Sequence, residues 1–375
     1  MWKTLTSAYL VLQLEKRVRE ESGEEEESWK DAGKEVGIQI WRIEKFHVVP
    51  WPKERYGSFY DGDSYIILHT YKKTSDAKSF SYDLHFWLGQ NTTQDEAGTA
   101  AYKTVELDDF LHGKPVQSRE CQGYESVRFL SYFPRFLSLQ GGVSTGFHHV
   151  SDPIPSHIRK LYRITFTKSA SGQSHLVVRE VPAITRSLVE GDVYVLDKGN
   201  EIFQLNTKSS SGQERFKAAE FVQNLVNERE SQSDVTVFDE GGSGVGRFFA
   251  EFGQNVSLRK ADATANSFPT SHLYRITDAT GVLIFEALDP ASKETLTSDD
   301  AFLVDDSGSA SHPAIYVWIG NGASLNERRL SLQYAQRYLY DKSIKIGEPT
   351  SRVHVAIPII KLQEGEETPE FLEAM

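Results

Sequence analysis

"GDSYIILHTYKKTSDAKSFSYDLHFWLGQNTTQDEAGTAAYKTVELDDFL", residues 62–111, holds two runs of β-branched and aromatic residues followed at once by a helical pattern. The runs, GDSYIIL (62–68) behind an acidic residue and LHFWLGQ (84–90) ending in a turn, read as buried strands. Thr93-Gln-Asp-Glu96 is a capping box, in which the Thr oxygen and the Glu carboxylate satisfy backbone N–H groups at a helix start. The segment behind it is rich in helix formers.

The same order occurs twice more. GDVYVLD (191–197) and EIFQLNT (201–207) precede Ser211-Gly-Gln-Glu214 and RFKAAEFVQNLVNERE. DDAFLVD (299–305) and IYVWIGN (315–321) precede Ser324-Leu-Asn-Glu327 and RRLSLQYAQRYLY. Each unit opens on a similar strand: IQIWRIEKF (38–46), RKLYRITFT (159–167) and SHLYRITDA (271–279). The later units close on DVTVFDE (234–240) and RVHVAIP (352–358). Four features in one order, three times over, make an internal repeat. Each repeat is an α/β unit of the α+β kind, a mixed sheet packed against a long helix.

The Pro-, Ser- and Asp-rich connectors SDPIPS (151–156) and KADATANSFPTS (260–271) separate the units. The expected domains are 29–150, 157–256 and 268–375, behind an N-terminal extension of residues 1–28. That extension reads as an amphipathic or disordered lead-in, because its apolar patch, Ala8 to Leu12, is too short to span a bilayer. The acidic run EESGEEEES (20–28) follows.

Across 375 residues, 39% are hydrophobic and 25% charged, an ordinary globular balance. The net charge of −12 excludes general nucleic-acid binding, which needs a basic face, and suits a cation or a partner with basic patches. A single cysteine, Cys121, excludes a disulfide framework and a cysteine-based zinc site, and suits a reducing compartment.

On the first helix, at about 100° per residue, Ala97, Ala100, Ala101, Leu107 and Leu111 share one stripe. Tyr102 and Glu106 fall nearly opposite, with Val105 at the border. An outward tyrosine is either a single exposed aromatic or a contact for another protein. Glu96, Glu214 and Glu327 complete capping boxes, and an acid recurs upstream at Asp63, Asp192 and Asp300. Two of these aspartates follow Gly62 and Gly191, whose carbonyls a ligand can approach. Capping alone explains the glutamates. A Ca²⁺ shell of about six to eight oxygens explains the pairs. Asp108 and Asp109 sit where the helix dipole disfavours negative charge. Either the helix ends near Glu106 and they are solvated, or a cation meets Asp108.

Catalytic signatures are poor. GGSGVGRFF (241–249) lacks the dinucleotide-binding spacing and reads as a flexible loop. His148 and His149 have no third ligand in sequence and read as loop histidines. Cys121 has no evident base, and three similar modules suit a binder better than an enzyme.

The stretches from Ser81 to Phe133, GGVSTGFHHV (141–150) and EGEETPEFLEAM (364–375) resemble the gelsolin family, in its three-domain severin- and fragmin-like form. The resemblance covers nearly everything from Trp29 onward. It implies three domains, each a mixed sheet between a long and a shorter helix. It also implies a monomeric, cytoplasmic protein of the cytoskeleton that binds actin monomers and filaments under Ca²⁺ control, severs filaments and caps their barbed ends. Actin contacts carry over to Tyr102, Val105 and Phe147, and filament-side contacts are expected at Lys168, Arg215 and Lys217. Implied Ca²⁺ ligands are Gly62, Asp63, Glu96 and Val143 in the first domain, and Gly191, Asp192, Glu214 and Asp262 in the second. In the third they are Asp300 and Glu327, with Asp299 in place of the glycine. A Ca²⁺ shared with actin would use Asp108, Gly113 and Pro115. Two departures stand out. The family's lysine-rich phosphoinositide stretch keeps only Arg135 here, and Leu205 replaces a usual core tryptophan.

Overall fold

The computed structural model describes residues 26–143, 158–168, 174–229, 233–253, 256–260, 272–277, 284–288, 292–309, 313–346 and 357–375. The first repeat contributes β1 (Gly37–Glu44), β2 (His47–Pro50), β3 (Ser58–Tyr60), β4 (Ser64–Tyr71), β5 (Ser81–Leu88), helix α1 (Gln94–Phe110), β6 (Val116–Cys121) and β7 (Phe136–Leu139). The second has β8 (Lys160–Lys168), β9 (Ser174–Val181), β10 (Val193–Asp197), β11 (Glu201–Asn206), α2 (Gly212–Glu228), β12 (Asp234–Asp239) and α3 (Gly246–Ala250). The third has β13 (His272–Thr277), β14 (Ile284–Leu288), β15 (Ala301–Asp306), β16 (Ala314–Ile319), α4 (Leu325–Ile346), β17 (Ile359–Gln363) and α5 (Pro369–Ala374).

One motif recurs. Two strands pair antiparallel (β4 with β5, β10 with β11, β15 with β16), and the long helix then returns the chain to a third strand parallel to the second. A parallel neighbour demands such a crossover, and the long helix supplies it. The capping-box residues do what their spacing predicts: Thr93, Ser211 and Ser324 side chains each accept the backbone N–H three residues on.

The chain folds as two compact units. The first is a ten-stranded sheet, β14-β13-β15-β16-β17-β6-β5-β4-β1-β2. Here the first and third repeats share one sheet, because β6 and β17 pair antiparallel through Ile359↔Arg119 and Ile360↔Ser118. Their cores merge as well: Ala100 and Leu107 of α1 with its C-cap Leu111, and Leu332, Ala335 and Leu339 of α4, belong to one buried apolar cluster. The stripe read on the first helix is the one that packs, with Ala97 and Ala101 at its margin.

The second unit is a seven-stranded sheet, β12-β11-β10-β8-β9-β7-β3, to which the first repeat lends β3 and β7. Its α2 face buries Ala218, Phe221, Val222 and Leu225 against Ile164, Val193 and Ile202. Its other face buries Leu205, at 0% exposure, with Tyr194, Phe203, Phe238 and Phe248. Leucine thus fills the core position where a tryptophan was expected. GGSGVGRFF is not a flexible loop: its second half forms α3, because Phe248 inserts fully into this core. In the third repeat the closing strand is β17, just beyond the segment 352–358; residues 352–356 lie outside the described residues. Among the described residues no helix is long and apolar enough to cross a membrane.

Candidate functional site: carboxylate pairs and an outward helix face

Asp63, Asp192 and Asp300 immediately precede β4, β10 and β15, and Glu96, Glu214 and Glu327 lie in the first turns of α1, α2 and α4. In each repeat a hydrogen bond ties the aspartate's carbonyl to the residue just past the second strand, ahead of the helix. Gly89 N–H donates to the Asp63 carbonyl at 3.0 Å, and Gly320 N–H to the Asp300 carbonyl at 3.0 Å. In the second repeat the Thr207 hydroxyl donates to the Asp192 carbonyl at 2.7 Å. Gly89 and Gly320 are required there, since a Cβ on either would sit 2.2 Å from a backbone oxygen of Asp61 or Ser298.

The sequence reading missed the basic partner of each aspartate. Arg42 Nη1 lies 3.5 Å from Asp63, Arg163 Nε 2.5 Å from Asp192, and Arg275 Nε 2.9 Å from Asp300. The three arginines hold one position on the opening strands, opposite Tyr65, Tyr194 and Phe302. The pleat therefore points each toward the acid two residues earlier. The signal was present as W-R-I, Y-R-I and Y-R-I in three strands already aligned with one another.

The electrostatics differ between repeats. Burial pushes the Asp192 carboxyl up, Arg163 pulls it down and Glu214 adds to the rise; the net direction is upward. Burial acts the same way on Asp300, but hydrogen bonds from Arg275, Thr277 and Thr297 outweigh it and its pKa is lowered. Asp192 thus feels Glu214 across the site, while Arg275 feels both Asp300 and Glu327. In the first repeat the Ser64 and Thr92 hydroxyls lie 2.8 Å apart, and Thr92 donates onward to Glu96 at 3.5 Å.

Glu214 accepts from Ser211 N–H at 2.7 Å and Phe166 N–H at 3.2 Å, and Glu327 from Ser324 N–H at 2.8 Å. Gly62 is half-buried; Gly191 takes φ +104°, a conformation open to glycine. Arg259 bridges back to Val189 and Glu190 just ahead of Gly191, whereas Asp262 lies outside the described residues. Val143 sits in a turn after β7, in the second unit; Phe147 is outside the described residues, as are His148 and His149. Asp299 is exposed beside Asp300.

Every candidate donor is an oxygen, the chemistry a hard cation selects. Among the described residues no group of three or more His, Cys, Asp and Glu side chains converges. Each site thus offers one or two carboxylates plus carbonyls. That set fits Ca²⁺ better than a transition metal.

At the far end of α1 the helix continues to Phe110, so the reading in which it ends near Glu106 does not hold. Asp108 and Asp109 are 5% and 3% exposed rather than solvated. The chain reverses through His112 (φ +63°) and Gly113 (φ +69°), and Gly113 N–H donates to the Asp108 carbonyl at 2.8 Å. Gly113 is exposed and Pro115 buried.

Glu106 corrects the helical wheel. It is fully buried, because the turn Glu27–Trp29 lies over it: Trp29 Nε1 and Lys103 Nζ each donate to Glu106 at 2.9 Å. The outward face narrows to Tyr102, which is 50% exposed, with Val105 half-buried beside it. On α2, Arg215 is committed to the Ser210 hydroxyl and the Thr207 carbonyl, and Lys217 to Glu220. Lys168 ends β8. Phe216, 63% exposed, was overlooked. Counted from its cap it falls within about 40° of the Tyr102 direction, so a helical wheel of the second repeat would have found it.

Three segments, residues 45–130, 174–244 and 286–372, match the gelsolin repeat. The chain belongs to the gelsolin family. It is 36% identical to gelsolin-like protein 2 of Lumbricus terrestris, over all of this chain and 96% of that one. It is 38% identical to gelsolin-like protein 1 of the same worm, over 94% of this chain and 92% of that one. A protein of Platymeris rhadamanthus described as an actin depolymerising venom protein, gelsolin 1, is 36% identical over 85% of this chain and 88% of its own length. The three gelsolin repeats are those marked by the capping boxes.

Proposed function

We propose that this gelsolin-family protein binds actin under calcium control, severs filaments and caps their barbed ends. The observation that carries the reading is the outward face of α1, where Tyr102 stands 50% exposed on a helix whose opposite stripe is core. The worm relatives of matching length and the actin-depolymerising relative support it. The protein would work in the cytoplasm, on the cytoskeleton, as a monomer.

The residues that would hold Ca²⁺ are Asp63 with Glu96, Asp192 with Glu214 and Asp300 with Glu327, and Asp108 where α1 meets actin. When bound, the ion supplies positive charge and accepts about six to eight oxygens. Arg163 and Arg275 pair with one oxygen of Asp192 and Asp300, while Arg42 is bonded chiefly to Glu44 and lies 3.5 Å from Asp63, so Ca²⁺ would share these carboxylates with the arginines. The β6–β17 seam is short, two register pairs long, and each of its hydrogen bonds nets about 1 kcal/mol. Its opening, together with the parting of the apolar cluster that α1 and α4 share, would release the first repeat from the third and free α1 to enter a cleft between actin subunits. Contacts displaced there break the filament with no covalent step. Arg135, 5.8 Å over the Phe221 ring, is the one basic residue that stretch would offer a phosphoinositide.

Imaging of fluorescent actin filaments tests the proposal. Breaks are expected at micromolar Ca²⁺ and none in chelator. Equal breakage in both would remove calcium control, and blocked growth without breaks would make the protein a capper alone.

A further inference from the structure

In every repeat the strand after the long helix has one side against its parallel neighbour and the other side open to a further strand. β6 and β17 close that side with each other, and their helix-facing positions are shut: Gln117, Arg119, Ile359 and Lys361 are 4%, 7%, 0% and 9% exposed. β12 is the corresponding strand of the second repeat and, among the described residues, it ends its sheet. Val235 and Val237 stand opposite Ile202 and Gln204, as Gln117 and Arg119 stand opposite Leu84 and Phe86. They are 45% and 54% exposed.

The backbone points the same way. Asp234 and Glu240 N–H groups donate inward, to the Asn200 and Asn206 carbonyls. Alternation along the strand then turns the N–H and C=O groups of Val235 and Val237 outward. An outward polar row beside two β-branched side chains is what an extended segment adds to.

We infer that β12 accepts a strand from another protein, an extended peptide with β-branched or apolar side chains at alternate positions and Lys or Arg at its ends. Charge selects this occupant. Asp234 and Asp239, both exposed, flank the valines, and half-buried Glu240 follows. A second copy of the chain would set the same carboxylates, and another net charge of −12, against them. A basic-ended strand meets opposite charge at each end. The inference stands apart from the actin reading, since it uses no residue of α1 and none of the carboxylate pairs.

The test uses the full chain and a fluorescein-labelled peptide, Lys-Lys-Thr-Val-Thr-Val-Thr-Lys-Lys, followed by anisotropy. A control peptide carries Glu for every Lys. The basic peptide is expected to bind, less tightly as salt rises, and about tenfold more tightly than its acidic counterpart. Val237→Pro leaves charge unchanged and removes only an outward donor, which an edge strand tolerates. It is expected to weaken binding about tenfold at an unchanged melting midpoint, and Val237→Lys to do the same. No binding of the basic peptide, equal binding of both peptides, or binding undiminished in both variants would overturn the inference. So would a dimer in sedimentation that Val237→Lys dissolves, which would assign the edge to a second copy.

Discussion

Arg42, Arg163 and Arg275 occupy one position in three strands; Arg163 and Arg275 hold the acid that the calcium reading needs, while Arg42 is bonded to Glu44 and approaches Asp63 at 3.5 Å. An arginine and a divalent cation draw on the same negative charge, so the arginine weakens the carboxylate as a ligand. Arg163 is the best place to measure this, at 2.5 Å from Asp192 with its side chain 39% exposed. Arg163→Gln should tighten calcium binding about fivefold by calorimetry, the equivalent of the roughly 1 kcal/mol of a part-exposed pair. An unchanged affinity refutes the competition; absence of any calcium heat from the parent protein refutes the sites themselves. Without calcium, the two aspartates behave oppositely. Asp300 has a lowered pKa, so its contribution to stability is present above the ordinary carboxylate value and fades as pH falls through the lowered one. Asp192 has a raised pKa, so its ionisation weakens the fold as pH rises toward and through that value. In chelator at neutral pH, Asp300→Asn should lower the melting midpoint and Asp192→Asn should leave it unchanged or raise it. The same midpoint shift in both would contradict the assignment.

At the scale of elements, what was legible in the sequence was what is local. A capping box needs four consecutive residues and a strand about six, so α1, α2, α4 and the paired strands could be read from periodicity. Glu106 could not. Its burial depends on Trp29, 77 positions away, lying across a face that the wheel leaves in water. α3 was hidden for a like reason, since its glycines advertise a loop while Phe248 is held by the far side of a sheet. The carboxylate pairs were visible through their spacing, but their arginines were not, because cross-strand register is set by the pairing of distant segments. Trp29→Phe isolates the long-range bond. It keeps the ring's bulk and removes the N–H donor to a buried carboxylate, a loss of about 1–3 kcal/mol. Urea unfolding should show that drop. Glu106→Met, which has no oxygen to accept that bond, should cost less in the same background than it does alone, and strict additivity of the two would show that the bond carries no energy.

At the scale of the molecule, three repeats were countable from sequence but their arrangement into two sheets was not, because no local pattern says which open edge meets which. β6 and β17 met, and the proposed release of the first repeat would open the seam they form. Ser118 and Ile360 face each other across it, close enough in an antiparallel ladder for a disulfide. Ser118→Cys with Ile360→Cys would therefore staple the first repeat to the third. Native Cys121 is no competitor, since burial pushes its thiol up to about 11 and leaves it inaccessible and protonated. If release of the first repeat precedes severing, the oxidised double variant should leave filaments intact at a calcium concentration where the parent protein breaks them. Addition of dithiothreitol should restore breakage within the same sample. Breakage by the oxidised protein at the parent rate would mean that the seam stays closed during severing, and that α1 reaches actin with the shared sheet intact.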